Sequence, residues 1–304
     1  MRIGLMMGAS PGEDGSLDGV MQRVKTAEAD GFDNVWMANV FGLDAINTLS
    51  IAGRETTRIG LGTAVVPSYP RHPTAMAQQA MTAAVAADGR FTLGIGLSHK
   101  MVIEDMFGMS YAKPAKHMRE YLSVLVPLLK GEGADFDGEN YRVHAKMDVP
   151  NGRPVPLVVA ALGPAMLKIA GEMTDGTNTW MTGPVTLEEH IIPTINAAAS
   201  AQGRPTPRIV AGLFIVLTAD VDAAKAKLAK NLEIYAMLPS YRAMLDREGA
   251  AGPADVAIVG DEQVLRAALQ RLRAIGVTDF NAVLLETEAG AGERTYAFLK
   301  SELG

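Results

Sequence analysis

Apolar positions in this chain fall into short continuous runs, and between them lie longer stretches in which apolar residues recur every three or four positions. Arg2–Met7 is such a run and stops at Gly8, as a buried strand does. Over 16–31, Leu17, Val20, Met21, Val24 and Ala27 share one stripe, so the spacing predicts a helix terminated by Gly31. The alternation then repeats. Further strands are predicted at 34–38, 58–66, 91–96, 156–161, 176–181, 209–217 and 279–285. Helices are predicted at 43–54, 75–88 (with Pro73 near its start), 113–130, 163–174, 187–202, from Val221 onward behind an Asp220 cap, 262–275 and 296–303. The strongest helical stripe is Val264, Leu265, Ala268, Leu269, Leu272 and Ile275.

Two stretches break the rhythm. Residues 131–153 carry Gly131, Gly133, Gly138 and Gly152 around a short apolar run, which reads as a hairpin or long loop. Residues 236–253 contain Pro239, Gly249, Gly252 and Pro253 and read as a second insertion. Repeated strand-then-helix units force parallel pairing through right-handed crossovers. Eight of them favour a closed (β/α)8 TIM barrel over an open doubly wound sheet. With no internal repeat and no linker, 1–304 is expected to be a single barrel domain whose insertions lie at its C-terminal face.

Composition narrows the chemistry. The 304 residues include no cysteine, which removes thiolate catalysis, cysteine-held clusters and zinc fingers. Lys plus Arg is 28 against 34 for Asp plus Glu, and a net charge of −6 argues against nucleic acid as a partner. The first residues lack the apolar region of a signal peptide, and no window is long enough to span a membrane. A soluble, cytoplasmic protein acting on a small molecule is expected.

In a barrel, chemistry gathers at the C-terminal ends of the strands. The segments to search are therefore 7–12, 38–44, 64–72, 96–101, 160–164, 179–184, the stretch after Leu217 and 286–290. Gly94 and Gly96 lack the third glycine of a dinucleotide fingerprint, and no helix starts at once, so they read as close-packing residues. His99 falls just past a strand end, where it serves either a ligand or the backbone. Residues 160–166, Ala-Ala-Leu-Gly-Pro-Ala-Met, run from a strand into a helix, and make either an anion site from free N–H groups or simply a tight turn. Arg71-His72-Pro73 reads as a helix start with solvated charges. Trp180 and Met181 form either a pocket wall or barrel core, and Glu286 fits a structural or a functional role. His117 and Glu120, one helical turn apart, read as a surface pair. Metalloprotease, P-loop and nucleophile-elbow motifs are absent, so a borrowed cofactor is expected to carry the chemistry.

Taken together, residues 61–66 (Leu-Gly-Thr-Ala-Val-Val) running to Arg71-His72-Pro73, 91–96 (Phe-Thr-Leu-Gly-Ile-Gly), Asp148-Val149-Pro150, and 159–164 followed by Asp175-Gly176 resemble the luciferase-like monooxygenase superfamily, in its branch that uses coenzyme F420. The resemblance spans essentially the whole chain. It implies a barrel with an insertion over its mouth, a homodimer, and a non-prolyl cis peptide in the third strand, here Ala64–Val65, backing a flavin-like ring. By the same carry-over, Ala161, Leu162, Gly163, Pro164, Ala165 and Met166 would hold the cofactor phosphate, and Asn39, Ser98 and His99 would also face the cofactor.

The chain departs from the deazaflavin sugar-phosphate dehydrogenases of that family. Asn39-Val40 stands where they carry Asp-His, His99 where they carry glutamate, and Trp180 where they carry a hydroxyl residue. Asn39 can hydrogen-bond but cannot act as a general acid or base. That leaves His99 as the best proton donor. The resemblance therefore implies an F420-dependent oxidoreductase with catalytic His99 and Asn39, and with Val40, Trp180, Met181 and the second insertion shaping an apolar substrate pocket. The alternatives it leaves open are an FMN-dependent monooxygenase and a non-catalytic flavin- or deazaflavin-binding protein.

Overall fold

Strand and helix alternate through the computed structural model, which describes residues 1–8 and 14–304. The search segment 7–12 lies mostly outside the described residues. In chain order the elements begin β1 (Arg2–Met7), α1 (Leu17–Ala29), β2 (Asn34–Met37), α2 (Ala45–Glu55), β3 (Gly60–Thr63), β4 (Val66–Pro67), α3 (Pro73–Ala86) and β5 (Phe91–Gly96). A π turn (Val102–Met106), α4 (Pro114–Leu129) and the strands β6 (Gly133–Asp137) and β7 (Arg142–Lys146) follow. Next come β8 (Leu157–Val159), α5 (Pro164–Met173), β9 (Gly176–Trp180), α6 (Pro184–Thr186), a second π turn (Leu187–Ile191) and α7 (Ile192–Ala201). The chain closes with β10 (Arg208–Leu217), α8 (Val221–Asn231), α9 (Glu233–Met237), α10 (Pro239–Glu248), a 3-10 turn (Pro253–Val256), β11 (Ile258–Gly260), α11 (Glu262–Ala274), β12 (Asp279–Leu284) and α12 (Ala291–Ser301).

The parallel order β1-β2-β3-β5-β8-β9-β10-β12 returns to β1, so the sheet is a closed eight-stranded barrel, with β4 continuing β3 alongside β5. The first insertion is the antiparallel β6–β7 hairpin, and the second is largely helical, beginning at α9. Among the described residues no helix is long and apolar enough to cross a membrane.

The barrel interior is built from glycines and a few large side chains. A β-carbon at Gly62 would stand 2.4 Å from the Trp36 ring, and one at Gly212 3.0 Å from Trp180, so these glycines make the space that the two indoles fill. Where β10 and β12 begin, Asp279 is fully buried and accepts from the Arg208 guanidinium at 2.8 Å and from Arg2 at 3.0 Å. Burial alone would raise the Asp279 pKa. The hydrogen bonds and charge of Arg208, with Arg2 behind it, outweigh burial and hold it below the usual carboxylate range. Arg208 also lies over Trp36, 5.2 Å from the ring centre. This paired cluster seals the N-terminal end of the barrel and leaves the opposite end for chemistry.

Besides the helices of the second insertion and the π turn at Val102–Met106, three elements differ from the sequence expectation. The last helix begins at Ala291, five residues before the expected 296, because the exposed Glu286 carboxylate accepts from Gly290 N at 2.5 Å and Gly292 N at 2.7 Å. Glu286 is thus a helix-starting residue, and the glycines in its turn had hidden the start. β11 was not expected: three residues form too short a run to read as a strand, yet they pair with the end of β10. The expected strand 58–66 is interrupted at Ala64–Val65, and that interruption belongs to the site.

Candidate functional site

The interruption has a local cause. β3 pairs with β5 only as far as Gly62 opposite Thr92. Thr63 then turns its side chain onto β5, where its hydroxyl donates to the Gly94 carbonyl and accepts from the Gly94 amide, both at 2.8 Å. With Gly94 satisfied by a side chain, the backbone of Ala64–Val65 swings off the ladder, and pairing resumes at Val66 opposite Ile95. The Ala64–Val65 peptide is cis, as the resemblance implied. Val65 fills the space above Gly96, where a β-carbon would lie 2.7 Å from Val65 Cγ2 and 3.3 Å from Ala160 Cβ. The third, fourth and fifth barrel positions therefore meet at one wall of the mouth.

The end of β8 supplies the next wall. α5 is capped by Gly163, and its first helical hydrogen bond runs from Leu167 N to Gly163 O, so the amides of Ala165 and Met166 precede it and carry the positive end of the helix. A β-carbon on Gly163 would meet nothing within 4 Å, so the approach is open. His190, on the second π turn, donates from Nε2 to the Leu162 carbonyl at 2.9 Å and fixes this turn from outside.

His99 lies three residues past the end of β5. Ser98 before it has φ 59°, a left-handed backbone, and the Tyr111 hydroxyl donates to the Ser98 carbonyl at 3.3 Å. The His99 ring meets Tyr235 of α9 at 6.4 Å and Tyr241 of α10 at 5.8 Å. Burial pushes its pKa below the ordinary 6.5, so at neutral pH it is a neutral imidazole that can donate one N–H but is not a stored proton. Trp180 joins the same group, 6.4 Å from Tyr235 and 5.4 Å from Phe214. The second insertion is held in place by Glu248, whose carboxylate accepts from Val185 N at 3.1 Å and Thr186 N at 2.7 Å.

The structure brings most of the sequence candidates to this mouth, with different standing. His99 and Trp180 share Tyr235 as a ring neighbour. Met181 does not line the pocket: it is 2% exposed and belongs to the core, with φ 48° turning the chain where its amide reaches Gly212. Val40 is 65% exposed and sits at the rim beside Phe41, which meets Phe107 edge to face at 6.2 Å. Asn39 Oδ1 accepts from Ala45 N at 3.0 Å, so its carbonyl is committed to the start of α2 and only its amide group is left for a ligand. Arg71 pairs with Asp44, and His72 caps α3 by accepting from Thr74 N at 3.3 Å.

Sequence reading missed four aromatic residues and misjudged His117. Tyr235 and Tyr241 sit in a weakly periodic stretch that offered no sign of facing the mouth. Tyr69 and Tyr111 lie in loops. His117 is 6% exposed, not a surface residue: it lies 3.0 Å from Ser68 Oγ and stacks on Tyr69. Burial pushes its pKa down to about 4, against a smaller upward pull from Glu120. The missed signal was its place on the inward stripe of α4 with Tyr121, Leu122 and Leu125.

The sequence profile of the luciferase-like monooxygenases matches residues 1–294, nearly the full chain. The chain belongs to the luciferase-like monooxygenase family. Within it, the chain is 31% identical over 237 residues to the 5,10-methylenetetrahydromethanopterin reductase of Methanolobus tindarius, covering 76% of this chain and 72% of that one. Among solved structures, it superposes on the coenzyme F420-dependent tetrahydromethanopterin reductase of Methanopyrus kandleri with a TM-score of 0.81 at 22% identity, over 99% and 98% of the two chains. It also superposes on the FMN-bound oxygenating component of 3,6-diketocamphane monooxygenase from Pseudomonas putida with a TM-score of 0.76 at 14% identity, over 100% and 97%. A coenzyme F420-dependent enzyme and an FMN-bound one thus share this fold.

Proposed function

We propose that this luciferase-like protein is a coenzyme F420-dependent oxidoreductase that moves a hydride between the deazaflavin and a small, mostly apolar organic substrate. The observation that carries the reading is the meeting of Val65, Gly96 and Ala160: a displaced backbone segment packs against the ends of the next two strands, beside an open, positively polarised helix start. The residues fit such a group. Ala64 and Val65 would back its ring, and the amides of Ala165 and Met166 would take its phosphate beyond the cradle left by Gly163. The likeness in fold to a coenzyme F420-dependent tetrahydromethanopterin reductase (TM-score 0.81 at 22% identity), against 0.76 at 14% for the FMN-bound monooxygenase component, favours F420 over FMN.

When bound, the deazaflavin supplies two-electron hydride chemistry. The chain's own work is alignment and exclusion of water. Trp180, Tyr235 and Tyr241 offer the substrate aromatic faces in place of charges, which suits a flat, weakly polar molecule with an electrophilic carbon. His99, held neutral, donates its N–H to the atom of the substrate that gains negative charge, and Asn39 orients with its free amide. Fluorescence titration with F420 beside FMN, followed by an oxygen-consumption assay, tests the assignment. Micromolar or tighter F420 binding without oxygen uptake supports it. Preference for FMN with oxygen uptake replaces it with the monooxygenase reading.

A further inference from the structure

Three aromatic rings from three different segments stack in series beside the mouth. His117 of α4 lies 3.9 Å from Tyr69 at 4° from parallel, and Tyr69 lies 5.4 Å from Tyr111 at 27°. At one end of the stack, His117 Nε2 is hydrogen-bonded to Ser68 Oγ at 3.0 Å. Ser68 directly follows β4 and donates its amide to the Gly96 carbonyl at 2.9 Å, so this end is tied to the wall that Val65 forms. At the other end, the Tyr111 hydroxyl holds the Ser98 carbonyl at 3.3 Å, one residue from His99. The Tyr111 amide is itself held by the Glu104 carboxylate at 3.2 Å.

Ser98 is the feature that calls for such a hold. Its φ of 59° is a conformation that non-glycine residues occupy only when their surroundings impose it. The peptide after it carries His99 out over the mouth, where the only ring partners of His99 among the described residues are Tyr235 and Tyr241 of the insertion. Nothing in that contact sets the direction of the imidazole relative to Ala64–Val65. The backbone that carries the imidazole is held on both sides instead, by Ile103 N on the His99 carbonyl at 3.0 Å and by Tyr111 on the Ser98 carbonyl, and only the second hold leads through the stack to the wall.

We infer that Tyr111 is a positioning residue for His99, fixing it through the Ser98 carbonyl in register with the Ala64–Val65 wall. The inference rests on the reading of His99 as a group that faces the bound substrate. Tyr111→Phe isolates the role, since it keeps the ring in the stack and removes only the bond to Ser98.

Two readouts decide. The first is the NMR titration of His99 in the cofactor-free protein. The titratable groups around it are Tyr235 and Tyr241, with Lys100 and Glu104 on its own segment. In the wild type His99 titrates below 6.5, and in Tyr111→Phe the midpoint is expected to move up toward 6.5 as the loosened loop admits water. The second is turnover with F420, expected to fall about tenfold in kcat with KM nearly unchanged. An unchanged titration, or an unchanged kcat in a variant whose titration moves, overturns the inference. Failure of the wild type to bind F420 is a separate result: it defeats the functional reading, while the titration still decides whether Tyr111 places His99. Equal thermal midpoints for variant and wild type show that the fold is intact.

Discussion

Val65 Cγ2 occupies the place above Gly96 where a β-carbon would come within 2.7 Å. One glycine thus sets how far the displaced segment can sink toward the barrel axis, and the face that Val65 turns to the mouth depends on it. The segment itself is freed by Thr63, which satisfies Gly94 with its side chain.

Replacing Gly96 with alanine should push Val65 outward and deform the wall. Overpacking of this kind costs about 1–3 kcal/mol. The expected result is a lowered thermal midpoint together with cofactor affinity weakened about tenfold or more. Calorimetry and fluorescence titration on the same sample check both, and native affinity in a folded variant would show that Val65 does not touch the ring.

Gly163→Asp separates fold from binding. A side chain there meets nothing within 4 Å, and aspartate is a favoured N-cap, so the thermal midpoint should hold or rise. The added negative charge faces the amides of Ala165 and Met166, and affinity for a phosphate-bearing cofactor should fall about tenfold or more. A titration showing undiminished affinity would place the phosphate elsewhere.

His99→Ala should lower kcat by about 100-fold, within the usual range for a proton-handling side chain, while cofactor affinity stays within about twofold. Because His99 is held neutral, the wild-type rate should show no loss as pH rises from 6.5 to 8. Steady-state kinetics across that range tests both points.

His117 gives a pH dependence of stability. Its pKa in the folded protein is about 4, below the unfolded value near 6.5, so the unfolded chain binds more protons between those values. Stability from this group is therefore complete above pH 6.5 and is lost as pH falls toward 4. The loss between pH 7 and pH 5 is about 2 kcal/mol. His117→Phe removes that slope but leaves the buried Ser68 hydroxyl without its partner, which costs about 1–3 kcal/mol at pH 7. Urea denaturation should show the variant weaker at pH 7 and level with the wild type near pH 5; parallel curves would mean that His117 titrates normally.

Much of the barrel was legible because each strand is a continuous apolar run and each helix carries one stripe, patterns that local sequence displays directly. The turn from β8 into α5 was legible for the same reason, since a small-residue strand end leading to Gly163-Pro164 is a local pattern. What sequence hid was everything set by contacts far apart in the chain. Tyr111 reaches Ser98 across 13 positions, Tyr69 stacks on His117 across 48 (117 − 69), and Tyr235 meets His99 from an insertion more than a hundred residues on. Met181 lies in the core, at a left-handed turn that the sequence does not announce, and the bond from Ala45 N that occupies the Asn39 carbonyl was equally invisible.

The most direct measurement is a crystal structure of the protein soaked with F420. The ring is expected to lie against Ala64 and Val65, with its phosphate at the amides of Ala165 and Met166. Density confined to any other part of the molecule, or none at saturating F420 while FMN binds, would contradict it.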